Sequence, residues 1–331
     1  VIEVPHILVL DVTVTGAGFA VASSATQTVI VEGDGELVIV AASCSGFLPG
    51  DIDEVPTAGL HGTPNATPDG WPATVQVSEE AGGFRLSDKP VRVSAMFGSA
   101  ERPCRWPVPW VLRPGAEVRI DVTQFWNVSQ RAFFSFYGYK RDPAGSSTTA
   151  PAWSWSDTDQ RVRHLLRSYG APSVSPFWFG FSFDELTGRS PLQSETRHVT
   201  ISGCDFAALN LYAGFDDPSD GAGYFVFDDL ITEQEQLRLT GAGPPTGGPP
   251  LRVTANTMRL ALDNGAVRLD DRPVAVVAEC GTGRRPGMFA RPLLVEDGRS
   301  LSATVLFADA SLGTNTATRG YITVGGVRIG T

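Results

Sequence analysis

The chain has 331 residues, 42% of them hydrophobic, with 36 glycines, 24 prolines and a formal net charge of −10. That acidic balance argues against a nucleic-acid groove, because phosphate binding requires clustered Lys and Arg. No run approaches eighteen consecutive apolar residues, so no membrane span is expected.

In chain order, the opening VIEVPHILVLDVTV lacks a basic flank and a small-residue cleavage site, and reads as a strand rather than a signal peptide. Ile7, Val9, Asp11 and Thr13 share one face of it; Leu8, Leu10, Val12 and Val14 make the other face strongly apolar. In VIVEGDGELVIV, Asp34-Gly35 between two β-branched runs predicts a tight hairpin. Further strands are predicted at Val91 to Met96, Glu117 to Thr123 and Ala132 to Lys140. In WVLRPGAEVRIDV a Pro114-Gly115 turn precedes a strand whose Val118, Ile120 and Val122 face one way.

SDTDQRVRHLLRSYGAP predicts one helix, about residues 157–169. Ser156 and Asp159 form a capping box, Val162, Leu165, Leu166 and Tyr169 fall at helical spacing, and Gly170 with Pro172 ends the run. Arg161, Arg163 and Arg167 read as its solvated face. Trp153 and Trp155, just before it, are expected to dock the linker on a domain, with contact to a neighbouring molecule as the alternative.

The chain also repeats itself. FRLSDKPVRV (Phe84 to Val93) returns as VRLDDRPVAV (Val267 to Val276), 183 positions later, and the same offset places Gly98 on Gly281, Arg102 on Arg285, Pro103 on Pro286, Pro109 on Pro292 and Gly115 on Gly298. TQTVIVEG from Thr26 lies over TRHVTISG from Thr196 at an offset of 170, and FFSFYGYK from Phe133 over YITVGGVR from Tyr321 at 188. In LLVEDGRSLSATV, Asp297-Gly298 takes the turn and Leu301, Ala303 and Val305 the inner face. Drift in the offset means loop insertions between strands of fixed order, the largest near GAGPPTGGPP (Gly241 to Pro250). The expectation is an all-β chain: two tandem jelly-roll-like antiparallel β-sandwiches, residues 1–141 and 176–331, joined by a linker, 142–175, that carries the one short helix.

Motifs for chemistry are sparse. There is no GxSxG, HExxH, P-loop or dinucleotide fingerprint. His6, His61, His164 and His198 are isolated, and Cys44, Cys104, Cys204 and Cys280 do not coincide between the repeats and read as buried thiols. Asp51, Asp53 and Glu54, and Asp216, Asp217 and Asp220, lack calcium-loop spacing and read as solvated turns. The sequons at Asn65 and Asn127 matter only in a glycosylating pathway. Trp71, Trp106, Trp110, Trp126 and the run PFWFGFSF (Pro176 to Phe183) read as packing between sheets, with stacking on sugar as the alternative. The long loops, Ser45 to Trp71 and Asp216 to Pro250, occupy similar places in the two copies and differ completely, as loops that carry contacts do. No catalytic, cofactor-binding or metal-binding residue is assigned, and the chain is expected to be no enzyme.

The order of an aromatic strand, a T…V.I.G…F strand pair, an RL…PV hairpin, a proline before a turn and a closing FFSFYGYKR resembles β-sandwich virion proteins of bacterial viruses. Pro109, Leu112, Pro114, Gly115, Asn127, Gly138, Tyr139 and Arg141 carry the closing pattern; the second copy departs from it with Asp297 for the proline and Val327 for the tyrosine. Two tandem jelly rolls also resemble the double jelly-roll coat proteins of tailless viruses, whose trimers present six similar lobes. The resemblance implies a structural protein of a bacteriophage particle, coat or head decoration, assembled in the host bacterial cytoplasm as a homotrimer with other virion proteins as partners. A carbohydrate-binding or host-attachment protein is the alternative it leaves open.

Overall fold

The computed structural model describes residues 3–16, 22–33, 35–47, 71, 73–80, 82–100, 102–124, 129–141, 156–170, 173–183, 194–216, 224–225, 257–263, 267–269, 274–275, 280, 287–306 and 319–330. The first half forms β1 (Glu3–Val14), β2 (Ser23–Ile30), β3 (Glu36–Phe47), β4 (Ala73–Glu79), β5 (Phe84–Arg85), β6 (Val91–Arg92), a single helical turn α1 (Val93–Met96), β7 (Cys104–Leu112), β8 (Glu117–Gln124) and β9 (Gln130–Arg141). One sheet has the order β1-β9-β3-β7; the other has β2-β8-β4-β5, with β6 also on β4. The period-two alternation turns Leu8, Leu10, Val12, Phe134 and Phe136 of one sheet toward Val75, Val77, Val118, Ile120 and Val122 of the other, in one core. With β5 and β6 counted as one interrupted strand, this is an eight-stranded jelly roll.

After helix α2 (Gln160–Ser168) the second half forms β10 (Ser173–Phe183), β11 (Ser194–Thr200), β12 (Asp205–Asp216), β13 (Tyr224–Phe225), β14 (Thr257–Leu262), β15 (Val267–Arg268), β16 (Val274–Ala275), β17 (Gly287–Val295), β18 (Ser300–Leu306) and β19 (Arg319–Gly330). Its sheets run β10-β19-β12, with β17 and β13 both on β12, and β11-β18-β14-β15, with β16 on β14. The strand order is that of the first half, so the chain is two jelly-roll lobes with a short helix between them.

The repetition extends to individual pairings. Leu37 faces Leu112 and Ile39 faces Trp110, then the register jumps so that Ala41 faces Arg105; in the second lobe Phe206 faces Val295 and Ala208 faces Leu293, then Asn210 faces Met288. A β-bulge therefore falls at Val40 in one copy and Leu209 in the other. Opposite each bulge stands a glycine, Gly138 or Gly326, whose Cβ would lie 1.8 Å from the Val38 carbonyl oxygen or 2.1 Å from that of Ala207. Only glycine permits so close a backbone approach. The turns correspond as well. Gly115 and Gly298 have φ of 77° and 82° and donate to the carbonyls of Val31 and Ile201, each at 2.9 Å.

Three local expectations are corrected. Asp34-Gly35 makes no hairpin, since β2 and β3 lie in different sheets. Val31 donates to the Ala116 carbonyl and holds the end of β2 beside β8, while β3 pairs with β9 from Glu36 onward. The strand expected over Val91 to Met96 stops at Arg92, because the chain there leaves one sheet for the other and Val93 to Met96 wind into a fully buried turn. Phe97 N–H closes that turn on the Val93 carbonyl, and Gly98 then joins Ala42 and Cys44. Helix α2 is shorter than residues 157–169, with Asp159 as its N-cap rather than the far end of a capping box: its carboxylate accepts from the Arg161 N–H at 2.8 Å.

Gly138→Ala and Gly326→Ala are each expected to lower stability by about 1–3 kcal/mol through backbone overpacking at the bulge. Urea unfolding of the two variants measures this, and unchanged midpoints would show the bulge to be permissive.

Candidate functional site

The sheet β10-β19-β12 is apolar on both faces. Phe177, Phe179, Phe181, Phe183, Phe206, Ile322 and Val324 fill the second lobe's own core. On the opposite face Trp178 and Tyr212 enter the core of the first lobe, while Ala207, Leu209, Val327 and Ile329 pack with Val108 of β7 and with Val162 and Leu166 of α2. This explains why PFWFGFSF shows no alternation: a strand covered on both sides reads as a continuous apolar run.

Trp178 is the centre of the junction. It is 1% exposed, and its ring meets Trp106 edge-on at 5.4 Å, while the Trp106 indole donates to the Met96 carbonyl at 3.2 Å. Gly325 leaves room for it; a Cβ there would lie 2.8 Å from Trp178 Nε1 and 2.9 Å from Tyr212 Cε2. The backbone joins too. Trp178 N–H donates to the Leu86 carbonyl at 2.9 Å and Asp88 N–H to the Trp178 carbonyl at 3.3 Å, so the stretch after β5 adds to the edge of β10 as a short parallel bridge. Gly180 N–H donates to Asp88 Oδ1 at 2.8 Å, and the absence of a side chain on Gly180 lets Val91 come close. The Arg92 guanidinium lies 5.8 Å from the centre of the Tyr321 ring.

Burial raises the Asp88 carboxyl above its usual range, against the opposing pull of the Gly180 hydrogen bond and of Lys89. Burial likewise pushes the Tyr212 phenol well up. These groups sit where one lobe meets the other.

Helix α2 fastens both lobes. Asp159 N–H donates to the Pro107 carbonyl of the first lobe at 2.7 Å. Arg161 reaches the bulge of the second, donating to the Leu209 carbonyl at 3.1 Å, to Asn210 Oδ1 at 3.0 Å and to the Phe289 carbonyl at 3.3 Å. Burial pushes the Asp159 carboxyl up, but the hydrogen bonds from Arg161 outweigh it and hold the group low. Arg161 is thus a clamp between lobes, not part of a solvated face, and Arg163 turns back to the Thr158 carbonyl at 2.9 Å. Tyr139 of β9 donates to Asp157 at 2.7 Å, and Tyr169 donates to Asp205 of β12. Burial, helped by Asp205, pushes the Tyr169 phenol up to about 12.

Of the aromatic residues singled out in the sequence, Trp71, Trp106, Trp110 and Trp178 are all buried, as packing between sheets requires. The four cysteines are buried and none is in a disulfide, and burial pushes the Cys44 thiol up. Trp126, Trp153, Trp155, His61, the sequon residues Asn65 and Asn127, and Asp51, Asp53, Glu54, Asp217 and Asp220 lie outside the described residues. His164 and His198 are exposed and His6 is half-buried; burial, then Lys140, lowers the His6 imidazole. The role of Trp178 as a plug for the other lobe was not legible beforehand. Its one signal was the loss of alternation in β10.

No family model matches this sequence, and no curated protein does. Among solved structures, the chain is similar to PBCV-1 VP54 fitted into a cryo-EM reconstruction of the virophage Sputnik, with a TM-score of 0.40 and 11% identity over 99% of this chain and 95% of that one. It is similar to the major capsid protein P2 of bacteriophage PM2, with a TM-score of 0.33 and 9% identity over 98% of each chain. It is also similar to recombinant N-glycanase F (PNGase F), with a TM-score of 0.34 and 10% identity over 97% of this chain and 96% of that one. All three scores lie below 0.5, so the function proposed for this chain stands on its own strand order and contacts.

Trp178→Ala is expected to cost about 3–5 kcal/mol, the range for emptying a buried tryptophan site, and to split one calorimetric transition into two as the lobes uncouple. A single unshifted transition would show that the plug does not couple them. Because the folded Asp88 carboxyl titrates above its unfolded value near 3.9, the stability that this group contributes is fully present below about pH 4 and is lost as pH rises through the folded value. Asp88→Asn keeps the acceptor for Gly180 and removes the titration. It should melt with the wild type near pH 4 and above it at neutral pH; equal melting at both would remove Asp88 from the pH response.

Proposed function

We propose that this chain is a non-enzymatic coat protein of a bacterial virus, assembling as a homotrimer whose six lobes tile a shell. The observation that carries the proposal is the locked junction. Two lobes of one topology are held side by side by a buried plug, a backbone bridge and a helix clamped to both. A shell is tiled by repeating one lateral contact, and a contact made head to tail closes into rings. A chain that already makes such a contact between its own two lobes carries the unit to be repeated. The net charge of −10 suits such a subunit, since like charge keeps unassembled copies dispersed. The resemblance of the first lobe's closing pattern to virion proteins of bacterial viruses supports the same function. A decoration protein seated on a separate shell would not need the lobes fixed to one another.

The test is assembly. The purified full chain should sediment as a trimer at micromolar concentration and enter closed shells visible by electron microscopy. A monomer at every concentration, never found in particles, would overturn the proposal, and specific capture on a glycan array would replace it with an attachment role.

A further inference from the structure

Resting on the coat assignment, the duplication also identifies which surfaces of neighbouring copies meet. The junction within the chain has two halves. The first lobe supplies a hollow, formed by the Leu86–Asp88 bridge and Trp106, and the second supplies a knob, the outer face of β10 with Trp178. Each lobe has the parts for both roles but uses one of them.

Pairing registers identify the unused parts. Trp178 stands across from Gly325 as Ile7 stands across from Tyr137, and Gly180 across from Thr323 as Val9 across from Ser135. Pro176 and Pro5 correspond in the same way. Ile7 is therefore the first lobe's counterpart of Trp178. It lies on β1, the edge strand of its sheet, and is 54% exposed, with Val9 at 46% on the same face. Among the described residues, the hollow left unfilled is on the second lobe. A cleft of about 480 Å³ opens there, lined by Leu211, Leu260, Leu269, Met288, Phe289 and Leu293. Leu269 and Phe289 sit 183 positions after Leu86 and Trp106, and Met288 is 67% exposed.

The repeated phrase supports the same assignment. RLSDKPV and RLDDRPV are identical at Arg, Leu, Asp, Pro and Val, and the first copy is the segment that bridges to β10 and hydrogen-bonds Gly180 through Asp88. The chain has one β10, already held by that first copy. A second copy of the phrase matches a second edge strand, and β1 is its counterpart.

We infer that β1 of one copy docks on the second lobe of the next, with Ile7 entering the cleft of Leu269, Met288 and Phe289. The contact is head to tail, so it repeats the junction within the chain and alternates first and second lobes around the ring.

Cysteine pairing tests this in the full-length protein. Ile7→Cys and Met288→Cys are each made alone, and the native thiols are buried. Mild oxidation should leave each variant unlinked by itself, while an equimolar mixture yields a covalent dimer on a non-reducing gel. Ile7→Asp should keep the wild-type melting temperature, because Ile7 is exposed in the single chain, and weaken self-association at least tenfold. No link in the mixture, or Ile7→Cys linking to itself, from a wild type that still assembles would overturn this contact and leave the coat function standing. A wild type that never self-associates would remove both.

Discussion

The rest of the structure depends on one sheet that is apolar on both sides. β10, β19 and β12 present phenylalanines to their own sandwich and Trp178, Tyr212, Leu209, Val327 and Ile329 to the outside. A jelly roll provides one partner sheet and therefore one cover, and leaving the other face in water costs about 25 cal/mol for every Å² of apolar surface. The second cover comes from the first lobe and α2. Two lobes that have separate cores are thereby joined into one body, and the linker helix is fixed because its apolar stripe completes the cover.

Strand registers are held more tightly than the lengths between them. The bulges at Val40 and Leu209 keep Gly138 and Gly326 opposite, and β7 and β17 change register at the same point. A slip of one residue would turn every inward side chain outward, so strands cannot absorb insertions. The connections can. Corresponding strands are 169 positions apart at β3 and β12, 183 at β4 and β14, and 188 at β9 and β19. All the drift falls in the stretches between strands, where added chain length costs little.

The same physics decides what was legible in the sequence. Alternation at Val118, Ile120 and Val122, the stripe of α2, and the phrase repeated at 183 positions are local patterns, and they located strands, helix and duplication. Asp34-Gly35 misled because a turn that joins paired strands and one that carries the chain between sheets use the same residues; the difference lies with distant partners, Ala116 and Arg141. Arg161 looked solvated for a similar reason, since its acceptors are carbonyls some fifty and more residues away and any residue supplies a carbonyl. The junction was half visible. The identities in RL-D-PV marked it, yet their purpose depends on where β10 lies, and no local pattern specifies that.

The two versions of the knob differ in a way their circumstances explain. Within the chain the linker keeps the lobes at a high effective concentration, so the contact meets no separate cost for lost translation and rotation and can be made permanent. Trp178 is buried against Trp106, and Gly180, with no side chain, lets the docking segment settle against the strand. In the proposed contact between copies the partners would start as dilute subunits, and assembly that corrects its own errors favours a high dissociation rate. Ile7 is a smaller side chain than Trp178, and Val9 puts a branched side chain where Gly180 has none, which would hold a docked neighbour further from β1. On that proposal the first lobe would carry the docking geometry in a looser form, suited to a contact that can be made and unmade.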